Sequence, residues 1–208
     1  VTWFYESMVD WLTITQWQII FLILVLPAFA YGGLRLGLLA VFSVGSWLVL
    51  DMWDAAMETL SLMTISIAIS VMIGVLIGIV ASQNDRFETI IKPILDTMQT
   101  LPAFIYLIPA FYLFGLGAPG AILATVIYAL PPVVRLTNLG IRQVPAGIDE
   151  AATSFGATKI QSLVKVKIPM AMPAIKLGIN QTVMMALALV VLATFIAAPG
   201  LGDIVLRG

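Results

Sequence analysis

The residues of this sequence that could do chemistry are few, and their types point to binding rather than to catalysis. The 208 residues include no Cys and no His, which excludes thiol nucleophiles, histidine acid–base chemistry and the usual zinc ligands. No carboxylate cluster lies inside an apolar segment, so an integral membrane enzyme has little support. Six of the ten Lys and Arg residues lie between positions 135 and 176, around Glu150, Ala151, Ala152, Gly156 and Pro169.

The first half of this basic stretch predicts a short amphipathic helix that ends at a glycine. Pro145 suits a first helical turn. Ile148 and Phe155, with two alanines between them, form one apolar stripe at helical spacing. Gly156 is a typical helix terminator, so the chain should bend there.

The second half predicts another short helix. Thr158 and Gln161 have the spacing of a capping box at a helix start. Lys165 and Lys167 fall in the last turn, which the helix dipole favours for positive charge. Pro169 should then turn the chain into the next apolar segment. An amphipathic helix resting on anionic lipid headgroups would show the same stripe and lysines, so this alternative stays open.

The composition requires a membrane around these elements. The hydrophobic fraction is 61% and the charged fraction 10%, with a mean hydropathy of +1.08, whereas soluble domains are about 25% charged. We predict an all-α, polytopic transmembrane protein. Six apolar segments are candidate spans, namely 17–31, 36–50, 60–81, 98–114, 118–134 and 177–197.

The first two segments are short and are separated by Gly32-Gly33-Leu34-Arg35. They form either one broken hairpin or two tilted helices, within an N-terminal segment 1–55. Lys and Arg collect in cytoplasmic loops. Placing the loop 135–176 in the cytoplasm puts nine of the ten basic residues inside and the acidic N-terminal segment outside.

Several sequence segments resemble one transporter family. The spacing E-A-A-x-x-x-G-x9-V-x-I-P across 150–169 resembles the EAA loop of permease subunits of glycine betaine/proline-type ABC importers. Three further segments support the resemblance, which covers about 56–208: LDTMQTLPAFIYLIP at 95–109, ALPPVVRLT at 129–137, and NQT with APGLG at 180–202.

The resemblance implies a type I ABC importer permease core, normally continued by one more span, so that the last helix is expected to be missing here. It also implies that the loop docks on an ATPase. Glu150 would supply charge and the helix start, Ala151 and Ala152 a close-packing face, Gly156 the bend, and Pro169 the turn into the next span.

The same resemblance implies the function and the partners. The chain would form the solute path of an ATP-driven importer for glycine betaine, proline betaine, choline or a similar quaternary amine, in a bacterial inner membrane. ATPase subunits would bind inside, a substrate-binding protein outside, and a second permease copy alongside, with lipid around them and no nucleic acid. No cofactor would be bound by this chain, because ATP and magnesium would sit in the ATPase; no G-x-x-x-x-G-K-[ST] occurs. A non-transporting assembly subunit whose loop binds anionic lipid is the alternative.

Polar residues inside apolar segments are candidates for the solute path, because such groups are costly unless they face protein or water. For these polar residues, hydrogen bonding between helices is the competing interpretation. An aromatic cluster at Phe104, Tyr106, Phe111 and Tyr112 could attract a quaternary amine. The competing interpretation of this cluster is anchoring at the membrane interface. The candidates for the path are Ser66, Ser70, Gln99, Thr100, Asn180 and Gln181, followed by Thr182.

Overall fold

A computed structural model describes residues 2–207. All regular structure in this range is helical, joined by short turns. The helices are α1 (Thr2–Ile14), α2 (Trp17–Val49), α3 (Trp53–Gln83), α4 (Asp85–Thr100), α5 (Leu107–Phe114), α6 (Ala118–Arg142), α7 (Ala146–Ser154), α8 (Lys159–Ser162), α9 (Ile168–Leu192) and α10 (Leu201–Arg207).

Helix α2 is a hairpin with its bend at Gly33. The backbone there has φ +70° and ψ −171°, a conformation that glycine adopts at little cost. Ile20 in the first arm and Trp47 in the second pack with Met57 in one apolar cluster, although a straight helix of this length would separate its ends by about 50 Å. Of the two alternatives for this segment, the structure therefore has the broken hairpin.

The core consists of α3, α6 and α9, which approach closely because glycines face the contacts. A Cβ added at Gly74 would lie 2.3 Å from Val133 Cγ1, and one at Gly78 would lie 2.6 Å from Thr137 Cβ. Gly178 on α9 meets the backbone of Val133 in the same way, at 3.0 Å. Small residues at helix interfaces in membranes allow such close contacts, and Gly74 and Gly78, four residues apart, lie on one face of α3.

The predicted span 98–114 is not one helix. Helix α4 ends at Thr100, a 3₁₀ turn covers Ala103–Tyr106, and α5 follows, with a bend of 112° between α4 and the second part. Pro102 explains the break, because a proline forces the preceding residue out of the helical region. Leu101 is accordingly extended, with φ −72° and ψ 135°.

Four helical stretches of the described chain are long and apolar enough to cross a membrane, namely α2, α3, α6 and Lys159–Ile196, and the bent α4–α5 pair is a fifth candidate. The six predicted segments correspond to these five because α2 supplies two of them as the arms of its hairpin.

The candidate docking loop and solute path

The insertion between α6 and α9 is a pair of short rods joined at a glycine, as predicted. Pro145 precedes α7 as its N-cap. Gly156 has φ +84°, and the N–H of Ala157 donates to Ala152 O at 3.1 Å across the turn. A left-handed residue after a helix end satisfies the last free carbonyls. Gly156 therefore fixes the bend through its backbone, since a Cβ there would meet no atom within 4 Å.

The second rod begins with the predicted capping box. Thr158 N–H donates to Gln161 Oε1 at 2.9 Å, and Gln161 N–H donates to Thr158 Oγ1 at 3.3 Å. Helix α8 then runs directly through a π-helical stretch, Leu163–Lys167, into α9. This rod is therefore the N-terminal extension of a long helix rather than a separate element.

The prediction that Pro169 turns the chain is wrong. Pro169 lies in the first turn of α9, and the helix continues through it. A proline ring inside a regular helix clashes with the carbonyl four residues earlier. The π stretch widens the helix just before the proline, where Ile168 N–H donates five residues back to Leu163 O. Such wide turns accommodate residues that an α-helix would exclude.

The two rods are held together by Asp149. Lys167 Nζ lies 2.7 Å from Asp149 Oδ2, and the Ser162 hydroxyl donates to Asp149 Oδ1. The hydrogen bond from Lys167, followed by that from Ser162, lowers the pKa of the Asp149 carboxyl below its ordinary value. The sequence predicts the two short helices but not this contact between them, because no local residue pattern marks a partner on the other rod.

The outer side of the loop is apolar although it is exposed. Phe155 is 93% exposed, Ile160 74% and Val164 55%, and Ala151 is exposed as well. Ala151 on α7 and Phe155, the C-cap residue of that helix, are four residues apart, and Ile160 and Val164 are four residues apart on the second rod. We call these four residues the docking patch. Exposed apolar groups at a polar loop are typical of a surface that a protein partner or the lipid headgroup region covers.

The remaining predicted docking residues flank this patch. Glu150 is exposed and Ala152 is half-buried. The hydroxyls of Thr153 and Ser154 bond back to Asp149 O and Glu150 O within α7, at 2.8 and 2.9 Å. Glu150 therefore presents its carboxylate beside the patch, where a charge change would reach a partner without disturbing the contact between the rods.

Of the two buried serines among the predicted path residues, only Ser70 bonds to a neighbouring helix. Ser66 and Ser70 are fully buried, and the Ser70 hydroxyl donates to Ser66 O at 2.7 Å and to Val126 O on α6 at 3.2 Å, whereas Ser66 Oγ has no hydrogen-bond partner among the described residues. Thr182 is also fully buried and donates to Ala129 O, again on α6, at 2.9 Å. The hydroxyls of Ser70 on α3 and Thr182 on α9 thus bond to the same central helix, and this contact fits hydrogen bonding between helices for these two residues.

The other predicted path residues are exposed. Gln99 and Thr100 are the last residues of α4, whereas Asn180 and Gln181 lie in the middle of α9. Helix α9 begins earlier than the hydropathy indicated, because the docking loop runs into it without a break. Their part in a solute path stays a prediction.

Three members of the predicted aromatic cluster line one cavity. Phe104, Phe111 and Tyr112 border a cavity of about 700 Å³ together with Phe195 beyond the end of α9. Tyr106 is excluded, because it packs against Tyr128, with ring centroids 5.5 Å apart, and its hydroxyl donates to Met98 O. Phe195 was missed because its segment is distant in sequence from the others.

The fold and the loop define a class: an all-helical, multi-spanning membrane protein with an exposed helix–glycine–helix insertion. Residues 70–208 match the model of the family described as "binding-protein-dependent transport system inner membrane component". The chain belongs to this family, and it is a multi-pass inner-membrane protein.

Named relatives are similar over most of this chain. It is 44% identical over 187 residues to the glycine betaine/proline betaine transport system permease protein ProW of Escherichia coli (strain K12), covering 90% of this chain and 53% of that protein. It is 45% identical to the glycine betaine transport system permease protein OpuAB of Bacillus subtilis (strain 168), covering 79% and 60%. The chain thus spans half to three fifths of the length of these relatives.

A solved structure shares the fold. A chain of the MetNI methionine ABC transporter in inward-facing conformations superimposes with a TM-score of 0.63 at 24% identity, covering 71% of this chain and 74% of that one. At this identity, the likeness concerns the fold alone. It fits the prediction of an ABC importer permease fold.

Proposed function

We propose that this chain is the membrane-spanning permease subunit of an ATP-driven importer for quaternary-amine compatible solutes. The relatives with 44% and 45% identity are named as glycine betaine or proline betaine permeases. The permease of Listeria monocytogenes named for glycine betaine and carnitine, GbuB, is 46% identical over 82% of this chain. The proposed permease domain is 56–208, and the chain itself carries no ATP hydrolysis.

The docking patch is the observation that carries the proposal. An apolar surface that includes Phe155 at 93% exposure lies on a loop whose two rods contact each other through Asp149. Its interior is fixed by Gly156 and by the Asp149–Lys167 ion pair. A rigid loop with an apolar outer side is suited to receive a soluble ATPase and to transmit its movement to α6 and α9.

The arrangement of partners follows from this assignment. The loop would face the cytoplasm, because nine of the ten basic residues then lie inside. ATP and magnesium would be held by the ATPase subunits. A substrate-binding protein would deliver solute from outside, where the N-terminal segment lies, and a second copy of this chain would complete the path.

The test is co-purification of the full-length permease with its ATPase. Glu150→Lys reverses a charge beside the patch and Phe155→Ser removes its most exposed apolar group, and we expect each to abolish ATPase binding. Gln143→Lys, an exposed change just before α7, is the control and should bind normally.

Uptake of radiolabelled glycine betaine by vesicles that contain the complex then tests the solute class. A wild-type permease that binds no ATPase, but whose loop binds vesicles of anionic lipid, would instead support the assembly-subunit alternative. ATPase binding without betaine uptake would leave the permease assignment intact and contradict the solute class.

A further inference from the structure

One arginine at the end of α6 joins three helices. Arg142 Nη1 lies 2.7 Å from Asp85 Oδ1 and its Nη2 lies 3.0 Å from Glu88 Oε2, both on α4. The same Nη2 donates to Ala81 O near the end of α3 at 2.9 Å. Within α6, Nε donates to Asn138 Oδ1 at 3.0 Å. The planar guanidinium is suited to hold several acceptors in fixed directions.

Neighbouring groups extend this contact along α4. Asn138 Nδ2 donates to Glu88 Oε1 at 2.8 Å, so both carboxylate oxygens of Glu88 have partners on α6. Two turns earlier on α6, Arg135 pairs with Asp96. The helices therefore run side by side with an ionic contact near each end of their overlap.

Apolar packing contributes little to the position of α4. Leu95 is its one buried residue, and a cavity of about 260 Å³ lies between α4 and α6, bordered by Glu88, Leu95 and Arg135 among others. By contrast, α3 and α6 meet through glycines in close contact. Helix α4 is thus attached to the core mainly by charged and polar side chains, which can hold it without locking it into a packed interior.

The position of Arg142 in the chain gives this contact a consequence. Arg142 is the last residue of α6, and α7 of the docking loop begins at Ala146. At the other end, α4 is followed at Pro102 by the 112° bend into α5, where Phe111 and Tyr112 border the aromatic cavity. Arg142 therefore links the end of α6, next to the docking loop, to the start of α4. The other end of α4 leads through the bend into α5, which borders the cavity.

We propose that Arg142 is the positioning residue that makes α4 follow the docking loop, so that force received at the loop reaches the aromatic cavity through α4 and α5. This inference rests on the proposed transport function. Asp85 and Glu88 are its partners in the same task, and Asn138 orients Arg142 and Glu88 toward each other.

The test uses the full-length permease reconstituted with its ATPase and binding protein. Solute uptake and ATP hydrolysis are measured on the same vesicles for Arg142→Gln and for the double variant Asp85→Asn/Glu88→Gln. The control is Arg86→Gln, which removes an exposed charge from the same turn of α4. Among the described residues, Arg86 itself takes part in no ion pair. We expect uptake per ATP hydrolysed to fall about 5-fold or more in both variants and to be unchanged in the control.

A merely structural role would lower uptake and ATP hydrolysis in parallel and leave their ratio at the wild-type value, which would overturn the proposal. If Arg142→Gln fails to assemble, the double variant decides, because it leaves the arginine in place. Combining all three changes should lower the ratio no further than Arg142→Gln does, since groups in one network are not additive.

A second measurement does not depend on which solute is carried. Spin labels replace the exposed Thr97 on α4 and Thr153 on α7, and the distance between them is measured with and without ATP. We expect it to stay constant in the wild type, because the two elements move together, and to change in Arg142→Gln. A distance that changes equally in both contradicts the coupling, even where the solute class of the proposed function has failed.

Discussion

Lys167 Nζ lies 2.7 Å from Asp149 Oδ2, and this ion pair closes the docking loop on itself. Ser162 adds a second hydrogen bond to the same carboxylate. The acid lies on α7 and both partners lie on the second rod, which continues into α9. The angle between the rods is thereby tied to the orientation of a core helix, and the loop can move as one body with it.

Removal of this contact should loosen the loop without unfolding the protein. In Asp149→Asn the ion pair with Lys167 is lost, so the charged contact between α7 and the second rod is removed. We expect faster amide hydrogen exchange in α7 and unchanged exchange in α3 and α6, because local openings follow the local contacts. Hydrogen exchange followed by mass spectrometry measures both regions. Lys165→Gln, which removes an exposed lysine of the same π stretch, is the control; equal exchange in both variants would contradict the role of Asp149.

The loop contact should be insensitive to pH over the physiological range. Because the pKa of the folded Asp149 carboxyl lies below its ordinary value of 3.8, its stabilising effect is fully present above that value and is lost as the pH falls through the lowered pKa. A spin label at Thr153 should therefore report the same mobility from pH 8 to pH 5 and greater mobility only below 3.8. In Asp149→Asn the label should be mobile throughout; a transition near neutral pH in the wild type would rule out this carboxylate as the group involved.

Substitution at Gly156 should act through the backbone. The residue has φ +84° with open space around it, so a bulky side chain would fit but the left-handed conformation would cost about 1–2 kcal/mol. We expect Gly156→Val to reach the membrane in normal amounts and to lose coupled transport. Gly156→Asn should retain most of it, because asparagine tolerates this conformation. Membrane content by immunoblot and solute uptake are compared; normal uptake by the valine variant would count heavily against the loop's role.

The buried and the exposed path candidates should behave differently. Ser70→Ala and Thr182→Val each remove a hydroxyl bond to α6, and we expect a loss of about 0.6 kcal/mol of stability for each, with about 1.7 as an upper value. Asn180→Ala and Gln181→Ala change exposed side chains of α9 and should leave stability unchanged while lowering uptake. Thermal unfolding in detergent and uptake in vesicles separate the two effects. Reduced stability with normal uptake in Asn180→Ala would remove that residue from the solute path.

Local signals determined much of the loop from sequence. The capping box at Thr158 and Gln161 and the bend at Gly156 depend on a few neighbouring residues, and the structure has both. The sequence also determined that the apolar segments are membrane helices, because a chain that is 61% hydrophobic cannot bury its apolar surface away from water without a bilayer.

Other features were decided by contacts between distant segments. The hairpin in α2 depends on the packing of Ile20 and Trp47 in the same apolar cluster. The continuation of the helix through Pro169 depends on a π-helical stretch that no residue pattern predicted. The partners of Arg142 and Asp149 lie on other helices. Sequence periodicity predicts which face of a helix a side chain occupies. The ion-pair partner of a charged side chain is determined only when the helices pack, because packing decides which face of a neighbouring helix lies opposite.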